Sequence, residues 1–134
     1  MAKLRNNWRD NTLEDLEKEV WGEPNHESYL VRRSHEIRKL PLKHMTNDDI
    51  SMMLRQQSSL DYIVPLAIDK LQTDILAYGE SGCEGAIMDA IIRVSVDFWK
   101  DNKDYWTAIK KLLDDNITVW PLKREQFDGA DPSI

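Results

Sequence analysis

The sequence predicts an all-α fold: a single-domain bundle of about six short helices with one central buried helix. Three observations predict it. Two segments open on a hydroxyl cap with an acid three residues on, Thr12 with Asp15 and Thr46 with Asp49. Apolar residues then recur at spacings of three and four, not two. The connections are short, and no repeat or low-complexity tract interrupts them.

After Thr12, Leu13, Leu16 and Val20 lie on one helical face, with Gly22 as a stop and Pro24 just beyond. Ser28 caps a second helix. Leu30, Ser34 and Ile37 give it a thin apolar stripe, with Tyr29 a further candidate, and Pro41 ends it near Lys39. Behind Thr46, the residues Ile50, Met53, Leu54 and Gln57 share a face. Leu60, Ile63, Val64, Ala67, Ile68 and Leu71 mark a fourth helix. Pro65 falls in or just after its first turn, where a missing N–H costs little; a start at Ser59 would make it a kink.

Residues 77–85 hold Gly79, Gly82 and Gly85 and read as a loop. The fifth helix is expected from about Gly85 to Lys100. It carries two stripes, one of Ile87, Ile91, Val94 and Phe98, the other of Met88, Ile92, Val96 and Trp99. An almost all-round apolar surface makes this the central helix. A sixth, Asp104 to Asp115, turns Tyr105, Ile109, Leu112 and Leu113 inward. Residues 1–11 and 116–134 are poorly patterned. Ile117-Thr-Val-Trp120 suits an extended docked segment, and Gly129 to Ile134 suits a frayed end.

A chain of 134 residues fits one domain and can bury a core without a metal or disulfide staple. The content of 41% hydrophobic and 31% charged residues excludes a disordered chain. Cys83 is the single cysteine, so no internal disulfide can form. The first ten residues are basic but lack the apolar stretch of a signal peptide. No apolar run approaches the roughly 20 residues of a membrane span. A cytoplasmic protein is the expectation.

The net charge of -6 is unevenly spread. Residues 28–44 carry +4, through Arg32, Arg33, Arg38, Lys39 and Lys43 against Glu36, whereas residues 45–99 carry -6. An acidic field repels nucleic acid and attracts basic proteins. The basic run is the one nucleic-acid hint. It lacks interleaved aromatics for stacking, and Arg32 and Arg33 sit beside Glu36 at helical spacing. It reads as a face packed against the acidic segment from Thr12 to Glu27.

Candidate chemistry is sparse. His26, His35 and His44 are too far apart for one helical face, and no cysteine pair completes a zinc set. Glu80 and Glu84 flank Cys83 and would raise its pKa, which argues against a nucleophile. The Gly79-x-x-Gly82-x-x-Gly85 spacing matches neither phosphate-binding fingerprint and has no lysine. Asp48, Asp49, Glu80, Glu84 and Asp89 meet no pairing rule for acid–base work, and Asp49 is explained as a cap. Trp99 and Trp106 read as core. Trp8 and Trp120 are either docked termini or interface anchors.

Several segments, in order, resemble contact-dependent growth inhibition immunity proteins. They are Thr12-Leu-Glu-Asp-Leu-Glu, the Trp21-Gly-Glu-Pro corner, the run from Ser28-Tyr-Leu-Val-Arg-Arg to Leu42, Thr46-Asn-Asp-Asp-Ile-Ser-Met-Met-Leu-Arg-Gln, and Leu60-Asp-Tyr-Ile-Val-Pro-Leu-Ala-Ile. The resemblance spans roughly residues 12–100. It implies a small cytoplasmic antidote without enzymatic activity or cofactor. Such a protein binds and neutralises the C-terminal toxin domain of its cognate delivered effector, as a monomer in a 1:1 complex, with no small-molecule substrate and no membrane role. The Ala77 to Ala86 loop departs from the aromatic, Asp-rich loop of related sequences, which places specificity in or near it.

An acidic glycine loop is suited to presenting carboxylates to a basic partner. Glu80 and Glu84 are therefore the leading candidates for partner binding, followed by Asp48 and Asp89. The contrasting expectations are a nucleic-acid-associated regulator using the 28–44 basic face, and a small enzyme built on scattered carboxylates.

Overall fold

The computed structural model of the protein describes residues 7–19, 28–79, 85–116 and 127. These form seven α-helices and two 3-10 turns, with an isolated bridge between Thr12 and Pro41 in place of any strand. The helices are α1 Leu13–Glu17, α2 Tyr29–Ile37, α3 Asn47–Gln56, α4 Leu60–Thr73, α5 Ala86–Ile91, α6 Val96–Asp101 and α7 Lys103–Asp115. The 3-10 turns are Trp8–Asp10 and Leu42–His44.

Local chemistry sets the starts. Thr12, Ser28 and Thr46 accept from the backbone N–H of Asp15, Val31 and Asp49. At Thr46 the Asp49 carboxylate returns the bond to the cap N–H, completing a capping box. Helix α1 stops early, at a left-handed Lys18. The predicted stop at Gly22, with Val20, Trp21 and Pro24, lies outside the described residues. Pro65 stands sixth in α4, past the first turn, within a run from Ile63 to Ile68 that is buried on every side.

Helices α3, α4 and α5 pack on one another, and α7 packs on α4. Burial at the centre is shared by Ile63, Val64 and Ala67 of α4 with Ile87, Met88 and Ile91 of α5, all without exposure. The expected continuous helix from Gly85 to Lys100 is two helices. Residues 92–95 turn between them, and Ser95 caps α6 by accepting from Asp97 N–H. The reason is a long-range cap. Gln57, left-handed at the end of α3, turns its side-chain carbonyl onto the Ser95 N–H at 2.9 Å. The break removes Val96 from the inward stripe; it is exposed, while Ile92, Val94 and Trp99 remain buried.

A buried ionic clamp ties the N-terminal elements together. Arg38, 1% exposed, reaches Glu17 Oε1 at 2.5 Å and the Glu19 carbonyl at 3.0 Å. Ser59 Oγ donates to the same Glu17 oxygen at 3.1 Å, joining the α3–α4 corner to α1. Trp8 is buried, so it is a docked terminus; Arg9 lies over its ring and pairs with Asp69 of α4 at 2.7 Å. At the other end, Phe127 is wholly buried against the edge of Trp99 and stacked 5.2 Å from Trp106. Trp120, the Ile117 to Trp120 run and the Gly129 to Ile134 end lie outside the described residues.

Candidate partner-binding surface

Asp48, one of the candidate residues, lies at the amino end of α3. Asp49, third in the helix, is buried and does two jobs. It caps Thr46, and it receives Arg33 of α2 in a two-pronged pair, Nε to Oδ1 at 2.8 Å and Nη2 to Oδ2 at 2.7 Å. Burial pushes this carboxyl up, but Arg33 and the Thr46 N–H outweigh it and hold the group below its usual range. Asp48, the next residue back, is half-buried.

The loop after α4 is fastened to this same end. Asn47 Nδ2 donates to the Tyr78 carbonyl at 3.1 Å. Gly79 packs so closely that a Cβ there would overlap the Asp48 carboxylate and backbone nitrogen. The stems on either side of residues 80–84 are bonded to each other, Gly85 N–H to Leu76 C=O at 3.0 Å and Ile87 N–H to Ala77 C=O at 3.3 Å. Gly85 holds φ 81, a left-handed value that favours glycine, and opens α5.

Of the four acids expected to meet a partner, the structure places two. Asp48 lies against Gly79 at the loop's entry. Asp89 lies one turn beyond the loop's exit on α5, half-buried, with Arg93 at 3.6 Å. Glu80 and Glu84 lie outside the described residues, as does Cys83; they are the chain neighbours of Gly79 and Gly85.

The basic run is largely spoken for. Arg33 is taken by Asp49 and Glu36, Arg38 is buried on Glu17, and Lys43 pairs with Asp10 at 2.8 Å. A phosphate-binding face needs its cations solvent-facing and uncommitted, so this arrangement does not favour nucleic acid. His35 is half-buried, His44 is exposed, and His26 lies outside the described residues. No group of three His, Cys, Asp or Glu side chains among the described residues is placed to hold a metal ion. Lys43 holds the Asp10 carboxyl low. Both lowered carboxyls thus sit in structural ion pairs, which perturb a pKa without any catalytic task.

Two features were not read from the sequence. Tyr29, a candidate for the inward stripe of α2, is 69% exposed, and Tyr78 is 46% exposed. Tyr78 offered a signal, an aromatic residue next to a glycine at the edge of a loop; Tyr29 offered none, because helical spacing alone allowed it inward.

A protein-family model described as CDI immunity proteins matches residues 15–109. No curated protein and no solved structure matches the chain.

Proposed function

The chain belongs to the contact-dependent growth inhibition (CDI) immunity proteins, and on that premise we propose that it binds the C-terminal toxin domain of its cognate delivered effector and neutralises it by occupancy. The family match over residues 15–109 carries this reading. The chain acts as a monomer in a 1:1 complex, in the cytoplasm where a delivered toxin works, and performs no chemistry of its own. Among the described residues no helix is long and apolar enough to cross a membrane.

The binding surface is the acidic side that includes the loop between α4 and α5, with Glu80 and Glu84 foremost and Asp48 and Asp89 behind them. What supports this is the -6 charge of residues 45–99 together with the anchoring of the entry stem on α3 and of the two stems on each other. Stems fixed in this way need little ordering on binding, so less of the interaction energy goes into holding them. A basic toxin surface is the complementary partner, and an interface of about 1,600 Å² suffices for tight neutralisation.

The test is to mix the purified chain with the toxin domain encoded beside it and separate the mixture by size. A single complex of one chain to one toxin, with toxin activity lost, is the expected outcome. Separate elution of the two proteins, with the toxin still active, would refute the reading.

A further inference from the structure

Tyr29, Tyr78 and Val96 are the large apolar or aromatic side chains that stand exposed among the described residues, and their surroundings differ. Tyr29 lies in the basic run, one turn before Arg32 and Arg33 on α2. Val96 opens α6. Tyr78 belongs to the stem that enters the acidic loop, and the backbone on both sides of it is pinned. Ala77 before it is buried, its N–H on the Asp74 carbonyl at 3.0 Å and its carbonyl accepting from the Ile87 N–H at 3.3 Å. The Tyr78 carbonyl accepts from Asn47 Nδ2 at 3.1 Å. Gly79 after it sits so close to α3 that an added Cβ would lie 2.1 Å from Asp48 Oδ1. The tyrosine thus stands exposed on fixed backbone, and the next residue in the chain touches a carboxylate.

We infer that Tyr78 is an anchor of the toxin-binding surface and receives an arginine side chain of the toxin, the guanidinium lying on its ring face with Asp48 as the paired charge. The inference rests on the reading that the chain neutralises a toxin by binding it. Charge selects a cation. Asp74, Glu80, Glu84 and Asp89 surround Tyr78 in the chain, and no Lys or Arg occurs between Leu71 and Ile92. The ring face adds to that attraction, and more strongly once water is excluded. The pairing selects arginine over lysine, because a planar guanidinium can stack on a ring while its N–H groups reach a carboxylate. A carboxylate has several acceptor positions, so Asp48 can receive the newcomer beside a contact within the chain. Tyrosine also anchors interfaces well, since a large contact area costs the ordering of only two side-chain torsions. Tyr29, among cations, has no such claim.

The inference is tested with the toxin domain encoded beside the chain, by measuring affinity and dissociation rate for wild type, Y78A, Y78F, Y78L, D48N, Y78L/D48N and Y29A, with melting temperatures alongside. Y78A is expected to bind at least about 30-fold more weakly, mostly through faster dissociation, at an unchanged melting temperature. Y78F keeps the ring face and should stay within a few fold of wild type. Y78L keeps apolar bulk without a ring and should lose about tenfold. Y29A should match wild type. One guanidinium serving both groups makes the loss in Y78L/D48N clearly smaller than the product of the two single losses. Should Y78A melt lower, Y78F against Y78L still decides, because both keep the bulk. Wild-type affinity in Y78A, with wild type itself binding, overturns this inference alone. So does equal binding by Y78F and Y78L, or single losses that simply multiply in the combined variant. Absence of binding by the wild-type chain overturns the immunity reading and this inference with it.

Discussion

Arg33 and Asp49 grip one another with two short hydrogen bonds while the same carboxylate caps Thr46. One side chain thereby fixes the start of α3 and the approach of α2. Removing Arg33 leaves a buried carboxylate with only its cap. Arg33→Ala should cost up to about 3 kcal/mol, the low end for a severed buried pair because the arginine is partly solvated. Asp49→Asn keeps an oxygen for the Thr46 N–H and should cost less, about 1–2 kcal/mol. The sign of the pH dependence follows. A carboxyl held below its usual range contributes its full stability above the unfolded value near 4, and loses it as pH falls through the folded value. The stability gap between wild type and Asp49→Asn should therefore narrow below about pH 4. A constant gap across that window in denaturant titrations would contradict the pairing.

The split of the predicted central helix is tested by two aspartates. Ile91 is fully buried in α5 and Val96 is exposed at the start of α6. Ile91→Asp should cost several kcal/mol by burying an unpaired charge. Val96→Asp should stay within about 0.5 kcal/mol. Equal losses of melting temperature would restore the uninterrupted helix.

What sequence made legible was mostly local. The caps at Thr12, Ser28 and Thr46 act within three residues, so their spacing alone predicts them. Gln57 capping Ser95, Arg38 finding Glu17 and Arg33 finding Asp49 span 38, 21 and 16 residues, and no short-range pattern encodes them. The break in the predicted fifth helix follows from that first contact, since apolar spacing stays helical on both sides of it. At the candidate surface, Asp48 was legible as an acid near a helix start. Its contact with Gly79 was not, because the absence of a side chain shows its purpose only when a neighbour is known.

Phe127 lies beyond the family-matched residues and yet sits between two tryptophans of the core. Phe127→Ala should cost about 3–5 kcal/mol through the cavity left behind. It should also shift tryptophan emission to the red as Trp99 and Trp106 gain water. An unaltered melting curve and emission spectrum would show that Phe127 does not close this core.

Gly79 fastens the acidic loop to α3. Gly79→Ala must displace Asp48 or the loop stem, at about 1–3 kcal/mol. Stopped-flow mixing should also show it slowing association with the toxin. Exchanging Glu80 and Glu84 together for lysine should leave stability intact, slow association, and flatten its dependence on salt. A double variant that associates at the wild-type rate and protects cells fully would remove this loop from the interface while leaving the immunity function standing.

Neutralisation by occupancy makes a numerical demand that no catalytic antidote would meet. Titrating a fixed amount of active toxin domain with the chain should bring activity to zero at one equivalent. The endpoint should not move with incubation time, and the dissociation constant should be nanomolar or tighter, on the order of -12 kcal/mol. Complete loss of toxin activity at a small fraction of an equivalent, progressing with time, would contradict the account.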